Sequence, residues 1–152
     1  MRLATAIALV PAVLLASCVV RRGPPSPAGY PEATSLLGAP LYAVERPLEV
    51  RQRLEANLAA AYAEYERDPE NADAIIWLGR RVAYLGRYRD AIGIFSEGIR
   101  KHPGDPRMYR HRGHRWITVR EFGKAVEDLE RAAFLLRGRP DEIEPDGIPN
   151  AR

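Results

Sequence analysis

With 152 residues the chain has room for one domain of ordinary size, and its charge is dense but nearly balanced, 23 basic against 20 acidic side chains. One cysteine excludes an intrachain disulfide and any multi-cysteine metal cluster. The basic excess sits mid-chain: residues 71–138 carry fourteen bases against eight acids, residues 45–70 seven acids against four arginines. A basic stretch of this kind suggests an anionic partner, although most charge runs are simply solvated surface.

The first segment, 1–17, reads as an export signal. Met1-Arg2 supplies a positive charge, and Leu3 to Ala16 is apolar apart from Thr5 and Pro11. As a helix those fourteen residues reach about 21 Å, short of the roughly 30 Å hydrocarbon core of a bilayer, so a cleaved signal fits better than a membrane span. It ends in Leu15-Ala16-Ser17-Cys18, which resembles the bacterial lipobox. The resemblance implies lipidation of Cys18, with acyl chains each contributing about 0.8 kcal/mol per buried methylene. Val19, rather than an aspartate, succeeds the cysteine. By the same resemblance this favours the outer membrane, facing the periplasm.

Residues 18–47 then form a proline-rich tether, with Pro24, Pro25, Pro27 and Pro31 ruling out a continuous helix. It spans roughly 30 Å if coiled. Its later part is more apolar, and Leu36, Leu37, Leu41, Tyr42 and Val44 are candidates to fold back on the domain.

From residue 48 to 69 the pattern becomes helical, with Val50, Leu54, Leu58, Tyr62 and Tyr65 on one stripe and Asp68-Pro69 as the stop. Asn71 or Asp73 caps the next helix. Compared with itself at an offset of 34, the chain matches Gly79 with Gly113, Tyr88 with Phe122, Ala91 with Ala125 and Ile92 with Val126. Phe95 falls on Leu129 and Gly98 on Ala132. Each unit holds two helical runs, broken near Gly86-Arg87 and Arg120-Glu121, and the small residues fall where antiparallel helices must approach closely.

The blocks Ile75-Ile76-Trp77-Leu78-Gly79, Gly86-Arg87-Tyr88, Ala91-Ile92, Phe95 and Pro103 resemble a tetratricopeptide repeat (TPR). A second comprises Tyr109, Gly113, Trp116, Phe122, Ala125, Leu129 and Ala132. The expected fold is therefore all-α: two TPR-type hairpins, 72–105 and 106–139, behind the preceding helix, with an acidic Pro/Gly tail at 140–152. The second unit departs from the family at Arg112, where Leu is usual, at Arg120 in place of the turn Gly, and at Arg137 in place of the final Pro. The resemblance implies that the slot of Arg112 faces the partner helix, so its charge should find an acid, with Asp128 or Glu127 the candidates, or reach water along its stem.

The densest basic stretch, MYRHRGHRWI at 108–117, lies on the first helix of the second unit. In the family first helices line a concave groove. The resemblance implies groove positions at Asp73, Ile76, Arg80, Ala83 and Tyr84, then Arg107, Arg110, His114, Ile117 and Thr118. Of these Arg80, Tyr84, Arg107, Arg110 and His114 are the candidate ligand-binding residues, with Arg107 and Arg110 as paired donors to a carboxylate and His114 as a pH-dependent one. Helical spacing puts His111 and Arg115 about 100° away.

Other chemistries find little support. His111 and His114 are three apart but lack the further ligands a zinc site needs, so no metal and no cofactor is expected. Tyr109 and Trp116 occupy packing slots, and an exported protein rarely meets nucleic acid, so none is expected as a partner. No serine has a nucleophile setting and no phosphate loop occurs, so no enzymatic activity is expected. The sequence points instead to a membrane-anchored interaction adaptor with a protein or peptide partner. The alternative is a sensor or enzyme-accessory lipoprotein that binds an anionic small molecule or glycan. No covering helix comes after the second unit, so Val126, Leu129, Ala133 and Leu136 are left partly open unless Ile143 and Ile148 cover them. That edge points to a shortened chain or to association through the last helix.

Overall fold

The computed structural model describes residues 30–140, 142 and 143. The expected signal segment, Cys18, Ile148 and most of the acidic tail lie outside the described residues. Five helices come after a small two-stranded hairpin: β1 (Ala33–Thr34), β2 (Pro40–Leu41), α1 (Leu48–Arg67), α2 (Ala72–Tyr84), α3 (Tyr88–Lys101), α4 (Pro106–Thr118) and α5 (Phe122–Leu136). The helices pack in order, α1 on α2, α2 on α3, α3 on α4 and α4 on α5, with a further seam between α2 and α4. The fold is all-α in its body, as expected.

Local chemistry explains the breaks. Asn71 caps α2 by accepting from the Ala74 N–H at 3.1 Å, and Asp105 caps α4 by accepting from the Arg107 N–H at 2.9 Å, with Pro106 in the first turn. The turn between α2 and α3 uses Gly86 at φ +82°. Its equivalent between α4 and α5 is Arg120, which holds the same left-handed geometry at φ 66°. The side chains of the two turns differ, but their backbone conformation does not.

The main core joins Leu58 and Tyr65 of α1, Ile75, Leu78 and Val82 of α2, Phe95 of α3 and Met108 of α4. Of the stripe expected on α1, Leu58 and Tyr65 are buried and Val50, Leu54 and Tyr62 are half-buried. Close helix approach depends on glycines, two of them one repeat period apart. A Cβ at Gly79 would stand 2.5 Å from the Phe95 ring, and one at Gly113 would stand 2.9 Å from Leu129. Each glycine meets the residue 16 positions further on, and the two pairs are themselves one repeat period apart.

Residues 30–41 are more than a spacer. Ser35 caps a tight turn through Oγ, accepting from the Ala39 N–H at 3.0 Å, and β1 pairs with β2 in the register Ala33↔Leu41. Ala33 is buried against Ile92 and Val119, with Leu41 and Trp116 alongside. Glu32 is buried and accepts from the Arg89 N–H at 3.1 Å, supplying the N-terminus of α3 with the cap that its own sequence lacks. The fold-back of this segment thus runs through Glu32, Ala33 and Leu41. Leu36, Leu37, Tyr42 and Val44 remain exposed, correcting the expectation that they pack, because the turn at 35–39 aims its two leucines at solvent.

Among the described residues no helix is long and apolar enough to cross a membrane. The edge expected at α5 is open in part: Val126, Phe122 and Phe134 are exposed while Leu136 is buried. Ile143 is 77% exposed and does not cover them.

Candidate functional site

The first helices of the two units, α2 and α4, lie side by side, and α3 closes the space behind them. Between them is a cavity of about 140 Å³ lined by Arg80 and Tyr84 of α2, Phe95 of α3, and His111, His114 and Arg115 of α4. Helical spacing accounts for part of the assembly: residues 80 and 84 share a face of α2, as do 111 and 115 of α4.

Among the described residues no carboxylate lines this cavity; aromatic groups stand against its cations. Arg80 donates from Nε and Nη2 to the Tyr84 hydroxyl at 3.3 and 3.0 Å and lies 4.4 Å above the Trp77 ring. Arg115 lies 5.9 Å from the Tyr88 ring centroid. Burial lowers the Arg115 pKa, and Arg80 nearby adds to the effect. His111 stacks on Phe95 with centroids 5.6 Å apart and rings inclined by 18°. Its Nε2 is buried and has no hydrogen-bond partner among the described residues. Burial first, then the charges of Arg110, Arg80, His114 and Arg115, push the His111 imidazole down to about 3. The same two causes, burial and neighbouring arginines, lower His114.

The sequence-derived site is therefore rearranged. Arg80, Tyr84 and His114 come together as expected. Arg107 does not join them: it binds Asp105 through Nε and Nη2 and Asp73 of α2 through Nη1 at 2.5 Å. The Asp105 hydrogen bond, opposed by burial, raises the Arg107 pKa, so its charge is committed to the interior of the stack. Ile76 is buried in the core rather than set in a groove. Arg110 is half-buried on α4 and acts on the cavity through its charge on His111. Angular spacing alone sets His111 and Arg115 away from the groove face, yet both line the cavity, with His111 stacked on Phe95. Their only signal in the sequence is helix spacing relative to a seam whose position the sequence does not give.

A second, wider depression of about 470 Å³ opens between α1 and α2, with Ala61 and Glu64 facing Asp73, Trp77 and Arg81. Trp77 has two guanidiniums over its ring, Arg80 at 4.4 Å and Arg81 at 4.7 Å. Among the described residues no group of three or more His, Cys, Asp or Glu is placed to hold a metal ion.

This stack of hairpins has solved counterparts. The chain folds like MamA, a TPR protein. Against MamA from MSR-1 the TM-score is 0.51 at 20% identity, covering 57% of this chain and 49% of that one. Against MamA from AMB-1 it is 0.52 at 21% identity, covering 57% and 52%. The chain thus spans about half the length of these MamA chains, and at such identity the likeness shows the fold alone. No protein-family model matches the chain, and no curated protein matches it.

Proposed function

We propose that the chain is a non-catalytic, membrane-anchored adaptor of the bacterial cell envelope that binds an acidic protein or peptide partner on the face shared by α2 and α4. A lipid on Cys18 supplies the anchor in this reading, residues 19–29 the reach, and the helical stack the binding surface. TPR-like hairpin stacks serve as interaction scaffolds, and the chain folds in that manner. The observation that carries the reading is the concentration of Arg80, His114 and Arg115 around a depression between the two leading helices that, among the described residues, no acid lines. A concave surface lined by one sign of charge focuses its field outward and draws a partner of the opposite sign.

Two experiments test the proposal. Metabolic labelling with palmitate in the native bacterium should mark the protein and should be lost in Cys18→Ser; an unlabelled, freely released wild-type protein would remove the anchor. Fluorescence anisotropy with acidic peptides should show binding that weakens about tenfold in Arg80→Ala, the size expected for a charge-assisted contact. Equal binding of neutral and acidic peptides would remove the basic-face reading. The small volume of the cavity favours a second reading, a sensor or enzyme-accessory lipoprotein for an anionic small molecule or glycan.

A further inference from the structure

The cavity between α2, α3 and α4 carries a more specific inference, which rests on the reading that this face meets an anionic partner. We propose that it is a proton-linked binding site for a compact oxyanion, a carboxylate or phosphate group, held by Arg80, Arg115 and the Nε2 of His111.

Three observations combine. The volume, about 140 Å³, suits a single carboxylate or phosphate and excludes a folded element. Nitrogen-bearing side chains converge on it from two helices, and no acid lines it among the described residues. One polar atom there, His111 Nε2, is buried without a hydrogen-bond partner among the described residues, a state that costs about 1–3 kcal/mol unless something from outside satisfies it, and on protonation of the ring it becomes a donor. The stack on Phe95 fixes the ring plane, so Nε2 cannot swing out to solvent without breaking the aromatic contact. Arg115 completes the geometry. Its guanidinium rests on Tyr88, and no carboxylate among the described residues pairs with it.

Proton linkage arises from the groups that face the imidazoles. Around His111 stand Arg80 and Tyr84 from α2, Phe95 from α3, and Arg110, His114 and Arg115 from α4. Every charged group in that set is cationic or potentially so, and each therefore disfavours a proton on His111. A bound oxyanion reverses the local field and restores protonation. Binding must then strengthen as pH falls, because the complex takes up protons that the empty site rejects.

The test is a titration of the full chain monitored through its histidine ring resonances, with His111 assigned by comparison with His111→Phe, which keeps a ring on Phe95. Sodium phosphate, sodium acetate, an acidic peptide and its amidated neutral analogue are each compared with matched sodium chloride. The expected result is a saturable shift of the His111 ring, a His111 pKa that rises in the complex, and affinity that grows at least threefold from about pH 7.5 to pH 5.5. Arg115→Gln should weaken binding about tenfold, and His111→Phe should abolish most of the pH dependence. Saturation by free phosphate identifies a small-ion source, and saturation by peptide alone identifies a peptide-borne group; either supports the site. A wild-type His111 ring that moves no further with any oxyanion than with chloride overturns it, independently of whether any variant folds. Acidic-peptide binding that survives in both variants overturns the cavity and leaves the adaptor reading intact. A phosphate-induced shift of His111 with no peptide bound does the reverse.

Discussion

Arg112 of α4 and Asp128 of α5 are joined at two points, Nε to one carboxylate oxygen and Nη2 to the other, each at 2.7 Å. Arg112 also donates from Nη1 to the Ser96 hydroxyl at 3.0 Å. One repeat period earlier, the equivalent positions are Leu78 and Ile94, both buried in the main core. The second hairpin has therefore replaced an apolar pair with an ion pair in the same slot. Removing one partner leaves a buried charge, so Asp128→Ala should lower stability by about 3 kcal/mol, read as a shift of the urea midpoint. The double variant Arg112→Leu/Asp128→Ile copies the first hairpin and should recover most or all of that loss. A double variant weaker than Asp128→Ala would show that the slot is shaped for ions.

The helix–helix approach gives a second set of outcomes. Gly79→Ala gains about 1 kcal/mol in helix propensity but forces a Cβ into the Phe95 ring, and the overpacking should dominate with a net loss of about 1–2 kcal/mol. Gly123→Ala in α5 meets nothing within 4 Å and should gain up to about 1 kcal/mol. Arg120→Gly relieves a non-glycine left-handed residue and should add about 1 kcal/mol. Thermal melts of the three variants test the signs, and Gly79→Ala with an unchanged melting temperature would contradict the close approach.

Acid sensitivity comes from His111. Its folded pKa, about 3, lies below the ordinary 6.5, so the unfolded chain takes up the proton first. Stability is then complete above about pH 7 and falls as pH drops from 6.5 towards 3, by at most about 1.4 kcal/mol per pH unit for this group. The lowered His114 acts with the same sign. Asp105 joins at lower pH: burial opposes its ionisation, the Arg107 hydrogen bonds outweigh burial, and the stability it contributes is lost as pH falls through its depressed pKa. Urea midpoints at about pH 7.5, 6 and 5 should decline for the wild type, and the decline should be visibly shallower in His111→Phe. Identical slopes would place the titrating group elsewhere.

The hairpin at 30–41 makes a further prediction. Glu32→Ala removes the acceptor at the start of α3 and should cost about 1 kcal/mol, the usual loss on deleting a helix cap. Hydrogen exchange should speed up in residues 30–41, in the first turn of α3 and at the end of α4 against which Ala33 packs, with α5 unchanged. A global rise in exchange would mean that the hairpin is integral to the whole stack.

Much of the fold is legible in sequence because period and turn chemistry are local. Asn71, Gly86 and Pro106 mark their boundaries directly, and the offset that pairs Gly79 with Gly113 requires only a chain compared with itself. The Arg112–Asp128 pair is also readable, since a charge in an apolar slot needs an answer within reach of the facing helix. Three features are not. The role of Glu32 depends on a contact 57 residues away, although Ser35 and Gly38 do carry turn signals. Arg107 matches a groove position, yet Asp105 and Asp73 capture it, and the contact with Asp73 depends on how closely α2 packs on α4. The angle around one helix turns His111 off the groove, whereas its surroundings are set by the ring of Phe95 on another.

The docked hairpin also determines where mechanical load enters. Glu32 is tied to the start of α3, and Ala43 passes against Gly86 in the turn before it. Traction on the N-terminal side of residue 30 is therefore borne first by the middle of the array, where α3 and α4 are flanked on both sides, and α1 is shielded from being peeled away as the outermost layer.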